Sequence, residues 1–398
     1  MWVRQFGERG EDTVRAAATD LVGHIYAAGS TDGESFGTKA ALLAKYDAEG
    51  NQLWVREFGP SGFSTSARDV DTGAAGNVYL LATAGNLFGT ESFLVKYTAD
   101  GAQVWSRPIS GPLEPTRLAT DTFGHVYLVG RTSLDAFVAQ YDGLGNQVWL
   151  RQFGNPSTDI AQGVATNALG DVYVVGLQDG YDLEASFLAR YDTAGTQHWV
   201  RSFSGDSFPP WAMTVAADAH GNAVVAGFVW GTFAGETSAG HFDAFVLAYD
   251  RAGTQGWVRL FGTPEQDQGA DIAIAPAGNI YVAGTTHGTF TGEASVGPGD
   301  AFLAHLTTTP VGSNDGIAEL RTTLAGMAIP DGIRRSLDAK LAAAQRAAAA
   351  GHVNATCGPL TAFANEVSAQ DGKKLTAAQA TLLRSAIDVA LADGGCRG

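Results

Sequence analysis

The chain has 398 residues, 45% of them apolar and 17% charged, with 51 glycines, a loop-rich globular composition long enough for one large domain and a smaller one. Its net charge of −16 argues against a nucleic-acid partner, because phosphate binding draws on clustered Lys and Arg and no basic run occurs. No stretch approaches the roughly 18 uninterrupted apolar residues of a membrane span.

The first predicted element begins at once. Trp2-Val3-Arg4-Gln5-Phe6 reads as a strand, with no charged or apolar leader ahead of it; a signal peptide is not visible in this chain, and is expected either to have been removed or to lie upstream of Met1. The pattern Trp-x-Arg-x-(Phe/Ile) then returns: Trp54 and Arg56, Trp105 and Arg107, Trp149 and Arg151, Trp199 and Arg201, Trp257 and Arg259. Measured between tryptophans from Trp2 onward, the intervals are 52, 51, 44, 50 and 58 residues. A period near 50 matches a four-stranded propeller blade.

Each unit carries four strand-like runs, in the first unit "RAAATD" (A), "HIYAAG" (B), "ALLAKY" (C) and "QLWVREF" (D). Between C and D the spacing is constant, as in Tyr46, Gly50 and Trp54 or Tyr191, Gly195 and Trp199, because a tight hairpin with glycine at positive φ tolerates no insertion. Residues i, i+2 and i+4 of a strand share a face, so Trp, Arg and Phe of strand D point together at a neighbouring blade. The arginine is expected to lie along an aromatic ring and to pair with the acid after the tyrosine (Asp47, Asp142, Asp192 or Asp250). A cation present in every unit is architecture, not an active site.

The sixth unit runs through strand C at "DAFLAHL", residues 300 to 306, without a strand D of its own. The N-terminal strand supplies what is missing, so Trp2 to Gly7 is expected beside residues 300 to 306, closing a six-bladed ring and burying two sheet edges; an upstream extension would allow a seventh blade.

Loop length separates the two mouths of the ring. The B-C connections vary most and are longest in the fifth and sixth units, "GTFAGETSAGHFDAF" and "GTFTGEASVGPGDAF", and they emerge with the D-A connections on the mouth where propellers bind ligands. Trp211, Trp230, Phe233, Glu236, His241, Phe290 and Glu293 are the candidate ligand-binding residues for a carbohydrate or protein, since aromatics beside carboxylates suit both; the alternative is that the rings staple the loops to the sheet. Asp12, Asp159 and Asp267 head the innermost strand in three units, and Glu91, Asp135, Asp243 and Asp300 head strand C. Calcium needs six to eight converging oxygens, and one acid per blade does not obviously converge, so capping of turn amides is the simpler reading and no cofactor is expected; a calcium site at Asp12, Asp159 and Asp267 is the alternative. His24 and His125 occupy a turn slot held elsewhere by Asn or Asp. No HExxH, GxSxG or P-loop occurs.

"TTTPVGSNDG" (residues 307 to 316) reads as a linker, ahead of a helical region from 317 to 398. Ile333, Leu337, Leu341 and Ala344 form an apolar stripe, and Thr376 with Gln379 a capping box. Cys357 and Cys396 fall at neighbouring ends of the third and fourth helices if these form an antiparallel hairpin, which makes a disulfide geometrically reasonable and would imply an oxidising compartment; two unrelated thiols are the alternative.

On these motifs, residues 2 to about 306 resemble the bacterial SBBP β-propeller repeats, and residues 317 to 396 are similar to the small helical FIMAH-type module. The resemblance implies an all-β propeller followed by a helical bundle, in an exported bacterial protein of the cell envelope or exterior. The reading is thus a non-catalytic surface scaffold or binding protein. Its competitor is a propeller enzyme acting on extracellular polysaccharide, with Glu236, His241, Glu293 and Asp300 as acid/base candidates.

Overall fold

A computed structural model describes residues 4, 12–32, 39–60, 62–73, 76–86, 89–178, 185–205, 208–275, 278–295, 297–306, 315–349 and 353–393. Six antiparallel sheets follow one another, each built in sequence order from strand A to strand D. In the first blade these are Thr13–Thr19, Ile25–Asp32, Lys39–Tyr46 and Gln52–Phe58; in the fifth, Trp211–Ala217, Ala223–Val229, Asp243–Tyr249 and Gln255–Phe261. The sixth has three described strands, Asp267–Ile274, Ile280–Thr286 and Asp300–Leu306. Strands A of successive blades adjoin, which places them at the axis. The fold is a six-bladed β-propeller followed by four helices.

The turns follow the residues that specify them. Gly50, Gly101, Gly145, Gly195 and Gly253 close the C-D hairpins at φ between 76° and 84°, a region open to glycine and strained for other residues. Within those turns the acid caps instead of pairing with the arginine: Asp142 accepts from the amides of Leu144 and Asn146, and Asp47 from that of Asn51. Strand A carries a bulge in several blades, as between Ala161 and Gly163. Opposite it strand B needs glycine, since a Cβ on Gly176 would strike the Ile160 carbonyl.

Burial between blades supplies the core. One face of each blade packs on the next through strands B and C: Tyr26, Ala28 and Leu43 of the first meet Val70, Val78 and Leu80 of the second, and Val224, Ala226 and Val246 of the fifth meet Ile272, Ile280 and Val282 of the sixth. Five such cores join the six blades. The corresponding face of the sixth blade stands open, with Leu303 73% and Tyr281 36% exposed. The strand-A face of the first is open too, with Val14 53% exposed where Ala161 and Ala212 are fully buried. The expected pairing of Trp2 to Gly7 with residues 300 to 306 lies outside the described residues. Of that segment only Arg4 is described, and it is docked on the first blade, its Nε donating to the Gly50 carbonyl at 2.5 Å.

The helices are α1 (Asp315–Gly326), α2 (Asp331–Ala349), α3 (Val353–Gln370) and α4 (Ala377–Asp393). Ile333, Leu337, Leu341 and Ala344 of α2 are buried against Leu360, Phe363 and Val367 of α3 and Leu383 and Ile387 of α4, as the stripe predicts. Thr376 and Gln379 form the capping box, each side chain accepting from the other's amide. Cys357 lies near the start of α3, as its fifth residue; its expected partner Cys396 is outside the described residues.

Candidate functional site

The repeated Trp and Arg form a clamp between blades. Trp54, Trp105, Trp149 and Trp199 each donate Nε1 to a carbonyl in the C-D turn of the next blade, at 2.9 to 3.3 Å. Arg56, Arg151 and Arg201 donate Nε to the carbonyl of that turn's glycine at 2.6 to 2.9 Å, and lie 5.4 Å over their own tryptophan ring. Arg107 does the last at 5.7 Å over Trp105. The expected carboxylate partner is therefore corrected to a backbone carbonyl: the turn acids are committed to capping, and the bent hairpin turns its glycine carbonyl outward at the guanidinium. Arg4 makes the same bond to Gly50. In the fifth blade Trp257 Nε1 is buried without a hydrogen bond among the described residues, and the aligned acceptor residue, Thr308, lies outside them. Arg259 turns to Glu236 instead, at 3.5 Å.

The loop mouth of the fifth blade gathers most of the predicted ligand residues. Phe208, from the D-A loop, stacks on Trp230 at 4.6 Å and 6°, and Trp230 stacks on His241 at 5.6 Å and 26°. Phe208 is 47% and Trp230 38% exposed, and His241 is exposed as well, so the stacked rings turn their edges and free outer faces to solvent. Phe242 buttresses Trp230 from behind at 5.8 Å. Trp211 tilts onto Phe228 at 5.2 Å, below the ladder.

Phe233 is only 2% exposed. It anchors the short hairpin of Thr232–Phe233 and Glu236–Thr237 by packing on Phe203 and Phe245, which makes it a staple and not a contact residue.

The second long loop makes a separate place. Phe290 packs edge-on against Phe302 at 5.4 Å, and Glu293 closes a turn by donating its amide to the Phe290 carbonyl at 3.0 Å. Both line a groove with Trp257, Phe261 and Leu306 beside the outer described strand of the sixth blade. Glu236 and Glu293 thus sit on different blades, and Glu236 is held by Arg259.

Residues 256–290 match the model of the SBBP beta-propeller repeat. That segment is an SBBP-type repeat unit. The matched segment contains Trp257 and Arg259, and the other units carry the same pair in the same strand. No curated protein matches the chain. Among solved structures it is similar to a protein of unknown function from Dyadobacter fermentans (8% identity, TM-score 0.46, 75% of this chain and 95% of that one). It is also similar to a gluconolactonase from Xanthomonas campestris (12%, 0.39, 74% and 86%) and to virginiamycin B lyase from Staphylococcus aureus (10%, 0.38, 71% and 95%). At these scores none of the three bears on activity.

Within the propeller units the histidines hold turns. His24 and His125 place Nδ1 2.7 and 2.8 Å from the turn acids Asp20 and Asp121, which also accept from the hydroxyls of Tyr26 and Tyr127. The fourth unit uses an ionic version. Asp171, 2% exposed at its side chain, receives Arg190 at 2.6 Å and Arg251 of the next blade at 2.8 Å. Burial pushes the Asp171 carboxyl up, but the two guanidinium groups outweigh it and hold it below the usual range. Asp69 has no ion pair at contact distance among the described residues, and the Arg117 charge nearby only partly offsets its burial. Burial raises it to about 7, against the hydrogen bond from the Leu118 amide that pulls it down.

The acids that head strands divide in the same way. Asp159 accepts from the Asn155 amide and Asp267 from the Thr263 amide, so capping accounts for part of their chemistry. Asp12 lies at the equivalent entry of the first blade.

Phe208 was the ligand-face residue missing from the sequence reading. Its signal was weak: one phenylalanine in "FSGDSFPPWAM", three residues ahead of Trp211.

Proposed function

We propose that this protein is an exported, non-catalytic binding or scaffold protein that takes a carbohydrate ligand on the Phe208, Trp230 and His241 ladder. What supports the reading is the stack itself: exposed parallel rings cost hydration, and they suit a ligand with a flat C–H face and polar rim. Two loops from different connections hold it, which pre-organises the surface. The propeller enzyme reading asks for convergent carboxylates, and of its candidates Glu236 is already engaged by Arg259.

Tryptophan fluorescence during titration with a panel of defined glycans tests the proposal. Binding to one glycan class, weakened at least tenfold by Trp230→Ala with the far-UV spectrum unchanged, is the expected result. No binding across glycans, or binding untouched by Trp230→Ala, sinks it, and turnover of a bound polysaccharide would replace it with the enzyme reading. Export is tested in the source organism by fractionation, and the Cys357 and Cys396 pairing by intact mass with and without reductant.

A further inference from the structure

Strands A and C of a blade start at the same mouth, where strand D of the preceding connection ends. Asp243 opens strand C of the fifth blade and Asp267 opens strand A of the sixth. The wrap from one blade to the next brings both to Gly262, just after strand D of the fifth. A Cβ on Gly262 would collide with Asp243 Oδ1 and stand 2.9 Å from Asp267 Oδ2, so the two carboxylates press on one point of backbone. The acids that approach belong to different strand sets of adjoining blades, and are not two members of the one-per-blade set of Asp12, Asp159 and Asp267.

Capping accounts for half of each carboxylate. Asp267 Oδ2 accepts from the amide of Thr263 at 2.6 Å and from its hydroxyl at 2.9 Å, and Asp243 Oδ2 accepts from the Ala239 amide. The other oxygen of each, Oδ1, is buried with no hydrogen-bond partner, in residues that are 0% and 1% exposed. The nearby guanidinium of Arg259 is turned to Glu236. Two adjacent carboxylates, each with a lone-pair oxygen facing no donor, are expensive to bury. Asp243 meets Gly262 with its unpartnered Oδ1 and Asp267 meets it with its capped Oδ2, so a cation beside Asp243 Oδ1, within reach of the Asp267 carboxylate, lowers the cost of burying both.

We propose that Asp243 and Asp267 hold a hard divalent cation, with calcium the best fit, at the junction of the fifth and sixth blades. The two side chains are carboxylates, oxygen donors that suit a hard cation and not the nitrogen and sulfur chemistry of a zinc site; no third His, Cys, Asp or Glu joins them among the described residues. Backbone carbonyls crowd the same corner, for a Cβ on Gly240 would meet those of both Thr263 and Pro264. With two carboxylates and the rest of the shell from carbonyls and water, the affinity belongs in the weak range of extracellular calcium modules, on the order of 0.1 to 1 mM. The smaller magnesium ion, which demands near-ideal octahedral geometry, fits a shell of this irregularity less well. Bound there, the ion ties the loop carrying Trp230 and His241 to the next blade. The proposal does not depend on what those rings bind.

The test uses the full chain stripped with chelator, and follows thermal unfolding in calcium, magnesium and sodium chlorides at matched ionic strength. Five millimolar calcium is expected to raise Tm by roughly 3 to 6 °C and magnesium by clearly less. Asp243→Asn and Asp267→Asn should each abolish the calcium increment, while Asp192→Asn, in a C-D turn at the opposite mouth, keeps it. Should either variant fold poorly, terbium luminescence excited through the tryptophans of the unmutated protein, and its displacement by calcium, gives the same reading. An unchanged Tm across the calcium series with no terbium signal overturns the proposal. So does a calcium increment that survives in Asp243→Asn and Asp267→Asn.

Discussion

Leu303 on the sixth blade is 73% exposed, whereas Val246, at the same place in strand C of the fifth, is fully buried. The two positions share their sequence context, "DAFL" against "DAFV". What differs is whether a following blade covers them. Val246→Asp puts an unpaired carboxylate into an interblade core and should cost about 3 to 5 kcal/mol. Leu303→Asp should change stability by less than about 1 kcal/mol. Equal losses in urea denaturation would show that the sixth blade is covered in solution.

The clamp predicts a contrast between glycines. Gly101 has φ +80° and a Cβ there would lie 2.9 Å from the Trp54 ring, while Gly111 has φ +88° and nothing within 4 Å. Gly111→Ala carries backbone strain alone, about 1 kcal/mol. Gly101→Ala adds displacement of the tryptophan and should lose roughly 2 to 3 kcal/mol. Chemical denaturation of the two variants decides it; equal losses would remove the clamp from the account.

Asp69 predicts a falling alkaline limb. Its folded pKa, about 7, stands above the unfolded value near 3.9. The stability it contributes is therefore complete below about pH 4 and is lost as pH rises through 7. Asp69→Asn keeps an acceptor for the Leu118 amide and removes the charge. Its stability relative to the natural protein should improve by a few kcal/mol between pH 4 and 8. A pH-independent difference would show that Asp69 is better solvated than its place between the second and third blades implies.

Asp171 predicts the opposite sign. Its folded pKa is depressed, so its contribution is full above the unfolded value near 3.9 and disappears as pH falls through the folded one. Arg251→Ala leaves Arg190 as the remaining partner and should cost roughly 1 to 3 kcal/mol at pH 7. The penalty should shrink in acid as Asp171 protonates. A penalty constant from pH 7 to pH 2 would assign the effect to packing.

Much of the fold was legible because its rules are short-range. The Tyr, Gly, Trp spacing follows from hairpin geometry over nine residues, and the stripe from Ile333 to Ala344 from the pitch of one helix. The bulge in strand A was not legible, since its mark is a glycine on the neighbouring strand, as Gly176 stands opposite Ala161. Nor was the acceptor of the clamp. An arginine beside an acid-rich turn reads as half of an ion pair until the turn is seen to spend its acid on its own amides.

Chain order and local chemistry alone determined the repeat, its strand order, the tight turns and the helical appendage, because each depends on residues a few positions apart. Tertiary structure decided which side chains meet across connections: Phe208 with Trp230 and His241, Asp243 with Asp267, and the open faces bearing Leu303 and Val14. Those meetings join residues brought together by loop paths and by the turn from one blade to the next. No periodicity encodes such paths, so they are settled only when every interblade core is packed at once.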